Sequence, residues 1–293
     1  MLDIKFIREN LEICKEAAKN KNREVEWDKL LALDDKRREL IVTSEKLREE
    51  RNKLTRADQE RGKSIKQELK TAEDDLRTIE VEFHALMLTV PNIPDKSVPV
   101  GKDEKDNKEI KTWGNIPTFD FPIKDHIELG KSLDLIDLDR GSKVGASRAY
   151  FLKNEGAQME FAILFYTFQK LIKKGYTPLI APSLVREFTL FGNGQFPWGR
   201  EEVYHLEKDD AFLAGTAEVP VTAYLSDEVL QEQEMPKKFV AFSPCFRREA
   251  GSYGKDTKGV YRVHQFSKIE QVIISTNNLN TSFTLHEELL ANS

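Results

Sequence analysis

A short stretch near the C-terminus combines side chains that could bind a nucleotide. Arg247 and Glu249 are two residues apart, and a second set recurs at every second position: Arg262, His264, Phe266, Lys268 and Glu270. A guanidinium binds a phosphate well, and a carboxylate accepts a hydrogen bond from an exocyclic amine. An aromatic ring among these charges offers a surface on which a purine could stack. The same pattern is also typical of the solvated face of a sheet, and the spacing alone leaves both interpretations open.

Two strands would hold these side chains. Residues 238–249 and 261–275 have strand-like composition, and the glycine-bearing connection 250–260 predicts an antiparallel hairpin. Because side chains alternate between the faces of a strand, Val263, Ser267, Ile269 and Ile273 fall opposite the charged set. We therefore predict that one face of this hairpin packs on a core and that the other forms the site.

The preceding residues predict a mixed helix and strand domain. Residues 156–174 have a broad apolar face at helical spacing and end at Lys173, Lys174 and Gly175. Residues 176–185 read as a strand, and Pro178 and Pro182 favour a place at a sheet edge or an interface. The fold class predicted for the chain is α+β.

The N-terminal third has a different character. Residues 3–20 predict a short amphipathic helix, and leucines at 33, 40, 47 and 54 begin a heptad pattern that continues to Val90. The pattern predicts an antiparallel coiled-coil hairpin over about 27–90, with its turn at 61–64. Between Lys46 and Lys70 nine basic residues face five acidic ones, so the tip carries 9 − 5 = +4. A basic tip suits a phosphate backbone, although a charged run is also typical of a solvated helix.

Composition excludes several classes of protein. The 293 residues are 39% hydrophobic and 32% charged, which suits two domains, one of them largely solvated. The most apolar run, 161–172, is too short to span a bilayer, so we expect no membrane association. Cys14 and Cys245 are far apart and no signal segment opens the chain, which favours the cytoplasm. The P-loop, dinucleotide, H-E-x-x-H and G-x-S-x-G motifs do not occur, and the histidines predict no metal site.

The linear motifs are more specific than the spacing. Residues 246–252, 256–259 and 262–266, together with Glu270, closely resemble the second signature motif of class II aminoacyl-tRNA synthetases, in its seryl-tRNA synthetase version. Residues 215–222 resemble that family's serine-binding loop. Residues 192–197 resemble the segment that precedes this loop in the family. Residues 175–182 are similar to the first motif, and residues 2–8 with the hairpin are similar to the family's tRNA-binding arm.

The resemblance implies a role for each matching residue. Arg247 would hold the α-phosphate of ATP and act as the catalytic residue, Glu249 would contact the adenine amino group, and Phe266 would stack on adenine. Arg248, Val263, His264 and Gln265 would complete the ATP site. The serine site would consist of Thr216, Ala217, Glu218 and Glu270. The implied reaction is attack of the serine carboxylate on the α-phosphorus, release of pyrophosphate, and transfer of the seryl group to the 3′ end of tRNA(Ser). The resemblance does not decide whether selenocysteine tRNA is also charged.

The resemblance also implies an organisation. Residues 1–100 would form a tRNA-binding domain and 101–293 the N-terminal part of a class II catalytic domain, with Mg²⁺ accompanying ATP. Residues 175–185 would form a homodimer interface. The family's third motif, with its ATP-binding arginine, would lie beyond Ser293. We therefore expect a chain truncated before that motif, either as a fragment or as a naturally truncated protein.

Two other functions are consistent with the same residues. A truncated, non-catalytic paralogue would keep the arm and the dimer surface and would act by binding tRNA or by dimerising. A related ligase would charge a carrier protein in place of tRNA, although the long basic arm argues against it.

Overall fold

The computed structural model describes residues 2–55, 58–250 and 258–293. Its internal contacts divide the chain into two compact units, Met1–Ile116 and Pro117–Ser293. Four residues of the second-motif pattern (251, 252, 256 and 257) and Arg56 of the basic tip lie outside the described residues.

Two short helices, α1 (Ile4–Glu9) and α2 (Leu11–Asn20), open the first unit. The prediction of one helix over 3–20 is wrong, because the backbone leaves helical geometry at Asn10, with φ −133° and ψ 41°. The Asn10 side-chain amide donates to the carbonyl of Phe6 at 3.1 Å, a local bond that competes with a continuous helix. Ile7 and Cys14 pack from these helices against the base of the hairpin.

The hairpin consists of α3 (Trp27–Lys53) and α4 (Gln59–Met87). At 1.5 Å per residue each helix is about 40 Å long. The helices run antiparallel, since ion pairs join Arg48 to Glu73 at 2.9 Å and Arg61 to Glu50 at 2.7 Å. The predicted helical hairpin is confirmed, while its supercoiling stays a prediction.

The two helices are connected between Lys53 and Gln59, so the prediction of a turn at 61–64 is wrong. Gly62 lies inside α4, where a glycine costs only about 1 kcal/mol relative to alanine. The connection is fixed by Asp58, whose carboxylate accepts from the backbone N–H and the hydroxyl of Thr55, both at 2.8 Å.

A long polar segment follows the hairpin. Between residues 91 and 116 the one regular element in the described part of the chain is a 3₁₀ turn at Glu104–Asp106.

The second unit mixes helices and short strands. Its helices are α5 (His126–Ser132), α6 (Leu138–Gly145), α7 (Asn154–Lys173), α8 (Glu187–Gly192), α9 (Glu218–Thr222) and α10 (Leu279–Asn292). Its strands are β1 (Ile136–Asp137), β2 (Phe151–Leu152), β3 (Thr177–Ile180), β4 (Leu184–Val185), β5 (Tyr204–Leu206), β6 (Ala211–Leu213), β7 (Lys237–Phe246) and β8 (Gln265–Ile274). The α+β class is confirmed.

Three sheets organise these strands. The central one has the order β3-β7-β8, with β3 parallel to β7 and β7 antiparallel to β8. A second sheet has the order β4-β6-β5, and β1 pairs with β2. The predicted single strand over 176–185 is therefore wrong, since its two halves enter different sheets. Its edge position is confirmed for both halves, as the two prolines required.

The two strands of the predicted hairpin are shorter than expected. Pairing ends where Phe246 meets Gln265, so β7 stops at 246 and not at 249, and β8 starts at 265 and not at 261. Glu249 has a φ of +54°, a left-handed conformation that a strand does not accommodate. Arg247, Glu249, Arg262 and His264 consequently lie in the connection, beyond the ends of the strands.

The central sheet is buried on both faces toward one end. Ile269 and Ile273 pack with Leu171 and Tyr176, at the end of α7. On the opposite face Val272 belongs to the cluster of Ala217, Val221, Phe239 and Ala241. The charged face predicted for β8 is thus limited to its first half, which leaves Phe266, Lys268 and Glu270 beside α9. Among the described residues no helix is long and apolar enough to cross a membrane.

Candidate active site

Thr216 and Glu270 meet beside the N-terminus of α9. The Thr216 hydroxyl donates to Glu270 Oε2 at 2.6 Å, and the backbone N–H of Glu218 donates to the same hydroxyl at 3.2 Å. Thr216 is 4% exposed, whereas Glu218 reaches solvent. Residues from two distant segments therefore assemble one small, acidic and hydroxyl-bearing pocket, which we call the acidic pocket (Thr216, Glu218 and Glu270).

The electrostatics of the acidic pocket are unusual for exposed carboxylates. Partial desolvation, and after it repulsion from Glu270, raise the pKa of Glu218, while Lys268 opposes the shift. Two carboxylates that repel one another favour binding of a cation between them. A primary ammonium group is a suitable ligand for this pocket.

Ala217 contributes to the pocket differently from its neighbours. Its side chain is fully buried, packed in the cluster with Val221 and Phe239. Its part in the pocket is therefore to pack the segment that carries Thr216 and Glu218 against this cluster.

Arg247 lies immediately after β7 and is exposed. Its Nε donates to the carbonyl of Gly215 at 3.2 Å, and its guanidinium carbon lies 5.1 Å from the centre of the Phe266 ring. A Cβ on Gly215 would meet Phe246 O at 3.2 Å and Arg247 Cγ at 3.3 Å, so a glycine allows this approach. The structure thus brings together a guanidinium, an aromatic ring and the loop that leads into the acidic pocket.

His264 braces the Arg247 backbone. The Arg247 N–H donates to the carbonyl of His264 at 3.0 Å, and His264 Nδ1 lies 3.0 Å from the carbonyl of Arg247. The histidine therefore acts on the position of Arg247 through the main chain.

Glu249 is already paired in this structure. Its Oε2 accepts from Arg262 at 2.9 Å, and its side chain is 13% exposed. Glu202 holds the same segment, since its carbonyl accepts from the N–H of Arg248 at 3.0 Å and its Oε2 from the N–H of Ala250 at 3.1 Å. Sequence reasoning did not predict the contacts that Arg262 and Glu202 make with this segment. The alternation placed Arg262 on the charged face, but no local signal connects Glu202 to residues more than forty positions away.

The remaining predicted residues differ in accessibility. Arg248 and Gln265 are exposed, whereas Val263 is 5% exposed and offers a ligand only its backbone. Within the described parts of the chain there is no group of three or more His, Cys, Asp or Glu side chains arranged to hold a metal ion.

Comparison with known proteins identifies the class to which this fold and site belong. The family model described as "tRNA synthetase class II core domain (G, H, P, S and T)" matches residues 202–291, which contain the acidic pocket residues Glu218 and Glu270, and Arg247. This part of the second unit thus matches the core of class II aminoacyl-tRNA synthetases.

Two further comparisons narrow the class. The model described as "Seryl-tRNA synthetase N-terminal domain" matches residues 1–94. The chain is 41% identical to serine–tRNA ligase of Treponema denticola, covering 99% of this chain and 71% of the relative. It is 40% identical to serine–tRNA ligase of Deinococcus radiodurans, covering 100% and 72%. The chain belongs to the seryl-tRNA synthetase family, as its motifs predicted.

Solved structures agree with this assignment. A seryl-tRNA synthetase from Pyrococcus horikoshii complexed with ATP matches with a TM-score of 0.88 and 34% identity, over 99% of this chain and 73% of that one. A cytoplasmic serine–tRNA ligase from Naegleria fowleri in complex with AMP matches with a TM-score of 0.85 and 30% identity, over 100% and 70%.

Proposed function

We propose that this protein activates serine with ATP and transfers the seryl group to tRNA(Ser). The observation that carries the proposal is the acidic pocket next to a guanidinium that lies over an aromatic ring. Family membership over 99% of the chain supports it, as do the ATP and AMP complexes of the two similar structures.

In the acidic pocket, Glu218 and Glu270 bind the ammonium of serine. The hydroxyl-bearing Thr216 beside Glu270 suits a small polar amino acid. Ala217 is buried and packs the segment between Thr216 and Glu218.

The ATP site forms around Arg247 and Phe266. Adenine stacks on Phe266, lined by His264, Gln265 and the backbone of Val263, and Glu249 accepts from its amino group while Arg262 holds that carboxylate. A nucleotide with its base on the ring has its phosphates near the adjacent Arg247, which binds the α-phosphate, and Arg248 adds positive charge. The proposed reaction needs no covalent nucleophile, so positioning and charge stabilisation account for the rate.

Mg²⁺ fits this chain only as a companion of ATP. The described residues offer no cluster of ligands that would hold the ion alone, and Mg²⁺ commonly binds through substrate phosphates and one or two carboxylates. When bound it would neutralise phosphate charge, and no step proposed here proceeds through it.

The hairpin is the proposed tRNA-binding arm. Many of its charges are internally paired, but Lys46, Arg51, Lys66 and Lys70 are exposed and form no ion pair with a described residue. Replacing Lys66 and Lys70 with alanine should weaken tRNA binding and reduce the slope of log K against log salt by roughly 1.5–2. Serine activation should not change. Lys63→Ala, which removes a lysine paired with Glu60 at 2.8 Å, is the matched control.

A homodimer is proposed through the face formed by α7 and the adjacent β3, within the predicted 175–185 region and extending beyond it. Phe161, Phe165 and Ile180 are 76%, 65% and 84% exposed, and such a contiguous apolar surface marks an interface. Phe165→Asp should produce a monomer in sedimentation velocity, whereas Lys170→Ala, on the same helix, should not. A Phe165→Asp protein that stays dimeric would contradict this interface.

A cytoplasmic location completes the proposal. Both cysteines, Cys14 and Cys245, are free and buried, which suits a reducing compartment. The domain division after residue 100 likewise remains a proposal.

The decisive experiment is serine-dependent exchange of pyrophosphate into ATP, followed by charging of tRNA(Ser). We expect exchange with serine but not with alanine, and loss of exchange in Arg247→Ala without loss of fold. Binding of tRNA without any exchange would favour the non-catalytic alternative, and charging of a carrier protein the other ligase. Neither alternative is favoured at present, since relatives matching 99% or more of the chain are serine–tRNA ligases.

A further inference from the structure

Lys268 lies inside the acidic pocket, although neither motif nor spacing gave it a role there. Its Nζ donates to the Thr216 hydroxyl at 2.7 Å and forms an ion pair with Glu270 Oε2. Its side chain is 30% exposed and that of Glu270 23%. Lys268 and Glu270 share one face of β8, because they are two residues apart on the strand.

The hydroxyl of Thr216 is fully used in this arrangement. A threonine hydroxyl has one hydrogen to donate and two lone pairs to accept with. The hydrogen goes to Glu270, and the lone pairs accept from Lys268 and from the N–H of Glu218. With no bonding capacity left for a ligand, Thr216 serves to fix Glu270, and Lys268 completes that fixation.

The charges of the acidic pocket do not balance. The carboxylate of Glu218 makes no hydrogen bond or ion pair with any described residue, and the charged groups that act on it are Glu270 and Lys268. Two carboxylates and one ammonium give the pocket a net charge of −1. A ligand with one ammonium group would neutralise it.

We infer that Lys268 is a positioning residue of the serine site, whose ammonium fixes Thr216 and Glu270 and balances one carboxylate, so that the pocket accepts a single further ammonium group. The inference rests on the proposed serine site. It assigns Lys268 a function through Glu270 and Thr216, without direct contact to serine.

Removing the Lys268 charge should convert the pocket into a pair of like charges. Two neighbouring carboxylates without a cation raise each other's affinity for a proton, so a proton is held at higher pH than in the wild-type protein. In Lys268→Met, serine binding must displace the bound fraction of that proton into the solvent, because the ammonium and the proton neutralise the same charge. We expect about tenfold weaker serine binding at pH 7, and progressively weaker binding as the pH falls.

Isothermal titration of the protein with serine, in two buffers of different ionisation enthalpy, measures this proton directly. The wild-type protein should release almost none at pH 7, and Lys268→Met should release a substantial fraction of one proton per serine. Lys268→Arg, which keeps the charge, should largely restore wild-type binding. Lys208→Met is the matched control, since Lys208 is an exposed lysine in the turn between β5 and β6, and it should behave as wild type.

Two results would overturn the inference. Tighter serine binding by Lys268→Met would mean that the lysine merely competes with the substrate, and unchanged binding without proton release would mean that it is a bystander. A fold defect is distinguished by the Arg variant and by the pH profile, which a purely structural role would not change.

A second readout separates this inference from the proposed function. Carbon-13 labelling of glutamate carboxyls, assigned with Glu270→Gln, follows the titration of the acidic pocket without any ligand. An upward shift of that titration in Lys268→Met supports the inference even if the wild-type protein binds no serine, a result that would count only against the serine site. An unchanged titration overturns it.

Discussion

A buried carboxylate at the base of the hairpin predicts that removing either partner of its ion pair lowers stability by a different amount. Asp34 is fully buried, and its Oδ2 accepts from Arg8 Nε at 2.6 Å and from Arg38 Nε at 3.0 Å. Arg8 also donates to the carbonyl of Leu31 at 3.1 Å and pairs with Asp35 at 2.5 Å. This cluster, which we call the Arg8 clamp, joins α1 to the first turns of α3. We expect Arg8→Ala to destabilise the first unit more than Asp34→Asn does.

The magnitude depends on which charge remains buried. Removing one partner of a buried ion pair costs about 3–5 kcal/mol, because the other charge is left uncompensated. Arg38 is half exposed and, as an i,i+4 partner, offsets only about 0.5 kcal/mol of that loss, so we expect roughly 2.5–4.5 kcal/mol for Arg8→Ala. In Asp34→Asn the two arginines remain, and because both reach solvent they can hydrate. The cost should then be about 1–2 kcal/mol, the loss of charge-assisted hydrogen bonds.

Urea unfolding followed by circular dichroism at 222 nm measures both changes in the free energy of unfolding. Arg77→Ala is the matched control, since Arg77 forms only an exposed pair with Asp74 at 3.9 Å and should cost less than about 0.5 kcal/mol. Equal losses for Arg8→Ala and Asp34→Asn, or a larger loss for Asp34→Asn, would refute the reasoning that the buried charge decides the cost.

Three further predictions concern the second unit. Serine affinity should fall as the pH is lowered through the raised pKa of Glu218, because the protonated carboxyl no longer attracts an ammonium. Titration calorimetry between pH 5 and 8 should show this fall. Glu218→Gln should bind serine weakly, and its affinity should depend less on pH. Gly259→Ala should lower both the melting temperature and the ATP affinity. Gly259 has a φ of +81°, and a Cβ there would lie 1.9 Å from His126 Nε2, the atom that accepts from the Val260 N–H at 3.3 Å. Partial recovery of the melting temperature in the double variant with His126→Ala would confirm that this clash is the cause. Tyr176→Phe should lower the free energy of unfolding by about 1–2 kcal/mol, because the hydroxyl donates to Glu288 at 3.0 Å and accepts from Asn292 at 3.1 Å. Burial and Glu288 raise the pKa of Tyr176 to about 12. The loss measured by chemical unfolding should therefore not vary between pH 6 and 9.

Periodic features of the fold could be predicted from the sequence. The heptad leucines predicted the hairpin, and the run over 156–174 predicted α7, because long amphipathic helices impose their period on many residues. The position of the connection between Lys53 and Gln59 could not be predicted from glycine, since Gly62 lies inside α4 and the bonds between Thr55 and Asp58 hold the connection. The early end of β7 depends on the left-handed backbone at Glu249, for which the sequence gives no warning.

The candidate site was predictable to the extent that motifs are linear. Arg247 and Phe266 are nineteen positions apart and adjacent in the structure, as the motif implied. Lys268 was placed on the charged face, yet alternation does not distinguish a lysine held by Thr216 from one that points into solvent. Glu202 braces a segment far away in sequence, and such contacts arise only from tertiary packing.

The Arg8 clamp also determines how accurately the tip of the hairpin is placed. A helical pair about 40 Å long behaves as a rigid lever held at one end, so any angular play at its base is multiplied by its length. A rotation of about 5° at the clamp would move the tip by roughly 3.5 Å relative to α1, the length of a whole hydrogen bond. A displacement of a few ångströms between Arg8 and Asp34 would therefore make the position of every charge at the tip variable. The contacts at the base of the hairpin determine how precisely its tip is positioned.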